Sequence, residues 1–111
     1  MNARMVEAEG WVRVATLADL AEGAAFPAKL GNRPIALYRL DGLIHALDDV
    51  CTHALALLSQ GFIEDGAVEC PLHGARFDIA TGRCVAPPAS ADLRVYAVRV
   101  EGDDVYVRAP G

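Results

Sequence analysis

Two short segments of this chain each carry one cysteine and one histidine, and their spacing limits the fold more than any other feature. The first reads Cys51-Thr52-His53, and after sixteen intervening residues comes Cys70-Pro71-Leu72-His73. Side chains of an extended segment repeat on one face every second residue, so Cys-x-His presents both donors together. In Cys-x-x-His the donors meet across a turn, where Pro71 restricts the backbone. Two such hooks facing each other supply four bonds to metal. That set fits a tetrahedral zinc ion or a two-iron, two-sulfide cluster with both cysteines on one iron and both histidines on the other. Zinc sites of this composition usually pair like donors within one segment. Here each hook mixes them, as it must if each hook is to touch two different irons. Spacing favours the cluster and leaves zinc open.

The rest of the chain bounds the setting. One hundred and eleven residues are expected to form a single domain, 1–111, with a usable core. A formal net charge of −5 argues against nucleic acid as a partner. The apolar runs are far too short to span a membrane. The segment Met1-Asn2-Ala3-Arg4-Met5-Val6-Glu7 brings an acid early and has no apolar stretch, unlike a signal peptide. A soluble, cytoplasmic protein is expected. Of three cysteines, two sit in the hooks, which argues against a disulfide scaffold and suits a reducing compartment.

The periodicity predicts an all-β fold. Trp11–Val14 alternates, and Ile35–Leu40 does so less cleanly. Asp41-Gly42 then marks a hairpin into Leu43–Leu47. Leu93–Val100 alternates well and turns at Gly102-Asp103 into Val105-Tyr106-Val107. Thr16–Gly23 reads as a connector with a short helix or turn. Phe62–Cys70 reads as a small hairpin joining the hooks. Short strands and polar turns suggest a small antiparallel sandwich or barrel, with the hook segment, about 48–88, inserted between framework strands.

Taken with their flanks, the hooks resemble one family. Cys51-Thr52-His53 and Cys70-Pro71-Leu72-His73-Gly74, followed by Phe77-Asp78 and Thr81-Gly82, resemble the Rieske iron–sulfur proteins. Leu58-Ser59-Gln60-Gly61-Phe62 and Arg76-Phe77-Asp78 point to the branch of small ferredoxins from bacterial aromatic-ring-hydroxylating dioxygenase systems. The resemblance runs from about Trp11 to Val107. It implies a Rieske-type antiparallel sandwich with a cluster-binding subdomain and one [2Fe-2S] cluster. Cys51 and Cys70 would be its thiolate ligands, and His53 and His73 its neutral imidazole ligands. It implies a monomeric electron carrier, not itself an enzyme. The carrier would be fed by a flavin-containing, NAD(P)H-dependent ferredoxin reductase and would deliver single electrons to a terminal ring-hydroxylating oxygenase in aromatic hydrocarbon catabolism. Pro87-Pro88 would cover the cluster. Several positions depart from the branch: Ala54 stands where glycine is usual, Gln60 where an acid is common, and Leu55, Leu57 and Leu58 make this loop more apolar than usual.

With two thiolates and two neutral imidazoles, the oxidised core is neutral and the reduced core carries one negative charge. Four thiolates would make both states more negative, so histidine ligation raises the potential above the roughly −400 mV of plant-type ferredoxins. Every coordination position is filled by protein, which suits electron transfer rather than bond chemistry. High-potential relatives carry a second cysteine in each loop and offer serine and tyrosine hydroxyls to the sulfides. The matching positions here hold Ala56, Leu72, Ala75 and Phe77, which implies the low end of the Rieske range, about −150 mV.

Several residues outside the hooks carry weaker signals. His45 lies in a strand pattern without a cysteine at hook spacing and is expected to be an ordinary strand histidine. Cys84 matches neither hook and is expected to be a buried or half-buried thiol. Asp48-Asp49 is expected to be a solvated turn. Leu55, Leu57 and Leu58 fit equally well as packing under the cluster or as an apolar docking rim.

Overall fold

Tight two-residue turns set the local structure. Asp41 and Gly42 both take left-handed backbone angles (φ 53° and 79°), as do Asp65 and Gly66 (53° and 76°). That geometry matches the twist of the strands it joins. The first of these turns closes β3 (Arg33–Leu40) onto β4 (Leu43–Asp48); the second closes β5 (Phe62–Glu64) onto β6 (Ala67–Glu69). The Glu22 carboxylate accepts from the backbone N–H groups of Asp41 and Gly42, tying the preceding connector to the hairpin tip. The structure is a computed structural model and describes residues 10–52, 56–72, 74–86 and 91–109.

Among these residues the strands form three antiparallel sheets. The first has the order β1-β11-β10, with β1 Trp11–Thr16, β10 Val98–Glu101 and β11 Asp104–Arg108. The second, central sheet has the order β2-β3-β4-β9, with β2 Ala25–Leu30 and β9 Val95–Tyr96. The third has the order β5-β6-β7-β8, with β7 Arg76–Asp78 and β8 Cys84–Ala86. A 3-10 turn, Leu17–Asp19, follows β1 in the connector.

The central sheet is buried on both faces. Ile35, Leu37 and Ala46 pack with Val105, Val107 and Ala15 on the side of the first sheet. Ala36, Tyr38 and Leu47 pack with Leu58, Val68, Phe77, Ile79, Cys51 and Cys70 on the side of the third. This explains the imperfect alternation of Ile35–Leu40: a strand covered on both sides needs apolar residues at consecutive positions.

Three features differ from the sequence reading. Leu93–Val100 is not one strand: β9 pairs with β4 in the central sheet, and β10 pairs with β11 in the first. The switch falls at Ala97, whose carbonyl accepts from the Arg108 N–H (3.0 Å). Ala25–Leu30 is a strand despite Pro27, which sits on the edge strand of its sheet, where a missing N–H is tolerated. Asp48 and Asp49 are not a solvated turn. Asp48 ends β4 and accepts from the Tyr96 hydroxyl, and Asp49 is only 1% exposed.

Candidate metal centre

The chain leaves the central sheet at β4 and returns at β9, where Asp48 N–H bonds to the Arg94 carbonyl (3.0 Å). Both hooks and the whole third sheet lie in between.

The two hooks are built alike. In each, the cysteine N–H donates to the carbonyl five residues on: Cys51 to Ala56 (2.9 Å) and Cys70 to Ala75 (2.7 Å). Below these bonds each hook has an antiparallel stem. Val50 pairs with Leu57, and Glu69 pairs with Arg76. Both cysteines are buried (4% and 1% exposed) and belong to one cluster of core side chains. The thiols therefore stand at the roots of two matching loops, sheltered from water, as a pair of thiolate ligands requires. His53 and His73 lie outside the described residues, as do Ala54, Leu55 and Pro87-Pro88.

The stems differ in how they are held. The second belongs to the third sheet, with β6 and β7 flanked by β5 and β8. The first has a single bridge outside any sheet, and side chains complete it. Leu58 N–H bonds to the Asp49 carbonyl (2.7 Å). The Asp49 carboxylate accepts from Ser59 N–H (2.6 Å) through one oxygen and from Ser59 Oγ (2.7 Å) through the other. At the loop itself, Thr52 Oγ1 donates to the Ala91 carbonyl (3.0 Å), fastening the hook to the chain that returns towards β9.

The hooks are also locked to each other by backbone. Gly61 follows the 3-10 turn Leu58–Gln60, and a β-carbon there would overlap the carbonyl oxygen of Glu69, the residue before Cys70. The exit of one hook therefore lies directly against the approach to the other, and only glycine allows it. A second close approach joins Gly82 (φ 76°) to Leu93, where a β-carbon would come within 2.5 Å of the Leu93 oxygen. The turn carrying Gly82 is shaped by Asp78, whose carboxylate accepts from Thr81 N–H (3.0 Å) and Thr81 Oγ1 (2.7 Å).

Electrostatics under the first hook are unusual for a core. Burial pushes the Asp49 carboxyl above its ordinary range, and the bonds from Ser59 and Leu58 pull the other way. Burial also raises the Tyr38 hydroxyl far above its usual value, and the Asp49 charge adds to the effect. Tyr38 Oη has no hydrogen-bond partner among the described residues.

The leucines divide. Leu58 is fully buried in the core beneath the hooks. Leu57 lines an open groove with Pro27, Ala28, Lys29 and Pro34. Leu72, in the second hook, is 57% exposed, and Phe62 is 66% exposed. His45 lies in β4 opposite Tyr38, away from both hooks in the chain, as expected of a strand histidine. Cys84 is half-buried in β8 and packs against the core that holds Cys51 and Cys70. Asp49, Ser59 and Gly61 escaped sequence reasoning as site-building residues. The glycine was visible in the motif Gln60-Gly61-Phe62, but the backbone it meets lies across the fold.

Comparison with known proteins agrees with this geometry. The model of the Rieske [2Fe-2S] domain matches residues 10–97. The ferredoxin component of the naphthalene 1,2-dioxygenase/salicylate 5-hydroxylase systems of Ralstonia sp is 39% identical over 100 residues, covering 90% of this chain and 96% of that protein. The ferredoxin of carbazole 1,9a-dioxygenase from Nocardioides aromaticivorans IC177 superposes with a TM-score of 0.86 at 33% identity, covering 90% of this chain and 98% of the other. A chain in the complex of reduced oxygenase and oxidized ferredoxin in carbazole 1,9a-dioxygenase superposes with a TM-score of 0.82 at 34% identity, covering 90% of this chain and 94% of that one. A match across most of the sequence, falling on both cysteine-bearing hooks and the sheets that hold them, makes the chain a member of the Rieske [2Fe-2S] domain family.

Proposed function

We propose that this protein is the ferredoxin of an aromatic-ring-hydroxylating dioxygenase system, a cytoplasmic monomer whose single domain carries a cluster-binding subdomain at about 48–88. Cys51, His53, Cys70 and His73 hold one [2Fe-2S] cluster, the cysteines as thiolates and the histidines as neutral imidazoles. The observation that carries this reading is the matched pair of buried cysteines at the roots of two identically closed loops. Relatives named as ferredoxin components over nearly their full length support it.

The cluster, when bound, takes up and releases one electron at a time. The chain's own residues do the rest. The two hooks fix the thiolates, and the third sheet fixes the second hook. Leu58, Phe77 and Val68 keep water from the protein side of the site. The exposed Leu72 and Phe62 give a partner apolar surface to cover. A flavin-containing reductase using NAD(P)H supplies the electrons, and a terminal ring-hydroxylating oxygenase receives them. Among the described residues, no helix is long and apolar enough to cross a membrane.

The decisive test is the purified protein's visible and electron paramagnetic spectra, with iron and sulfide assayed per chain. A reducible chromophore with two irons and two sulfides is expected. Cys84→Ser is expected to keep both in full, and Cys70→Ser to lose them. A colourless zinc protein, or loss of the cluster in Cys84→Ser, overturns the ligand assignment. Partner encounter gives a further expected result. Glu64 and Asp65 are exposed at the tip of the β5–β6 hairpin, so turnover of the reconstituted system should fall as salt rises. A flat salt response would assign docking to the apolar residues instead.

A further inference from the structure

Among the described residues Asp49 is the one charged side chain that is fully buried, and nothing in the ligand set explains it. A carboxylate taken out of water is costly unless it is bonded and its charge has a use. Its two oxygens are both engaged by one residue, accepting from Ser59 N–H at 2.6 Å and Ser59 Oγ at 2.7 Å. Its own backbone is fixed as well: its N–H donates to the Pro34 carbonyl (3.1 Å), and its carbonyl accepts from Leu58 N–H (2.7 Å). Asp49 and Ser59 therefore bracket the first hook from Val50 to Leu58. The stem of the second hook is instead held within the sheet β5-β6-β7-β8.

We propose that Asp49 is a positioning residue for the cluster: clamped to Ser59, it fixes the first hook against the central sheet and places a negative charge beneath the site. The proposal rests on the four-ligand reading above. Two consequences separate it from mere packing. Breaking the clamp without touching a ligand should loosen the hook and speed loss of iron. Removing the charge while keeping the clamp should leave iron in place and make reduction easier, because a nearby negative charge opposes the added electron. Asparagine at this position does the second. Its Oδ1 can accept from Ser59 N–H and its Nδ2 can donate to Ser59 Oγ, so the geometry survives and the charge does not.

The test compares the cluster-loaded wild type with Asp49→Asn, Asp49→Ala and Ser59→Ala. Iron release to a chelator and the midpoint potential are measured for each. Ser59→Ala and Asp49→Ala are expected to release iron at least threefold faster than wild type, and Asp49→Asn at the wild-type rate. Asp49→Asn is expected to shift the redox equilibrium at least threefold towards the reduced form, about 28 mV for a one-electron couple at 59 mV per tenfold. If Asp49→Ala does not fold, Ser59→Ala and Asp49→Asn still decide. Wild-type iron release in Ser59→Ala, an Asp49→Asn variant that leaks iron, or an unchanged potential in Asp49→Asn each overturn the proposal. A wild type that shows no iron–sulfur spectrum instead overturns the ligand reading, and this inference with it.

Discussion

Gly61→Ala is expected to strip the protein of most of its cluster and to lower its stability by about 3 kcal/mol, the upper end of what overpacking costs. The backbone at Gly61 is at φ −90°, which alanine adopts without strain. The penalty is purely one of space. The added β-carbon would overlap the Glu69 carbonyl oxygen and lie 3.1 Å from its carbon and 3.2 Å from the Leu58 oxygen. All three neighbours are backbone, so no rotamer change relieves the clash. Relief requires Leu58–Gly61 and Glu69 to move apart, and these are the roots of the two hooks. The two cysteines held at those roots would separate even though neither is altered. For a domain of this size the melting temperature should fall by roughly 10–20 °C. Gly31→Ala is the control: that glycine has left-handed angles (φ 64°) but open space around it, so the cost should be about 1 kcal/mol with the cluster intact. Iron, sulfide and thermal melts of both variants check the result. A fully loaded Gly61→Ala protein melting with the wild type would refute the locking role of this contact.

The double variant Ala75→Ser, Phe77→Tyr is expected to raise the reduction potential by about 100 mV. Both residues are fully buried beside Cys70 in the core under the hooks. Reduction places one negative charge on iron and sulfur. With the proposed two thiolates and two neutral imidazoles, a hydroxyl aimed at sulfur would interact more strongly with that charge than with the neutral oxidised core. A hydrogen bond to a charged group contributes about 1.5–3 kcal/mol, of which only the difference between redox states counts. About 1.4 kcal/mol for each donor gives about 60 mV in a one-electron couple, and two imperfectly aimed donors give the smaller total. Voltammetry of both proteins at one pH checks the shift. An unchanged potential with both hydroxyls within bonding distance of sulfur would refute the account.

Local chemistry made much of this legible in the sequence. Asp41-Gly42 and Asp65-Gly66 announce their turns because few other pairs accept left-handed angles at adjacent positions. The two cysteine-bearing loops stood out by their matched motifs, and the structure closes them alike, Cys51 N–H on Ala56 and Cys70 N–H on Ala75. What stayed hidden depends on residues distant in the chain. Pro27 argues against a strand unless β2 is known to be an edge. Leu93–Val100 reads as one strand because its alternation does not record that Ala97 meets Arg108 and the chain changes sheets. Asp49 reads as a solvated acid because its burial depends on the central sheet below it and on Ser59 across the hook. The strands β7 and β8 are three residues each and carry too little pattern to stand out. The three-layer arrangement left one trace, the broken alternation of Ile35–Leu40, whose meaning appears only once both neighbouring layers are in place.

The single tryptophan sits on the far side of that arrangement. Trp11 begins β1, and the next residue, Val12, packs inward against the central sheet. Two guanidinium groups lie over its ring, Arg99 at 5.1 Å and Arg108 at 5.9 Å from the ring centre. Stacking of this kind holds an indole in a fixed, partly shielded environment. Its emission therefore reports on the first sheet, whereas the colour of a bound cluster reports on the third. Between the two optical signals stands a strand, β3, that both cores share. The molecule thus carries an internal gauge of cooperativity: one probe on each side of a common wall, readable in the same cuvette without any label.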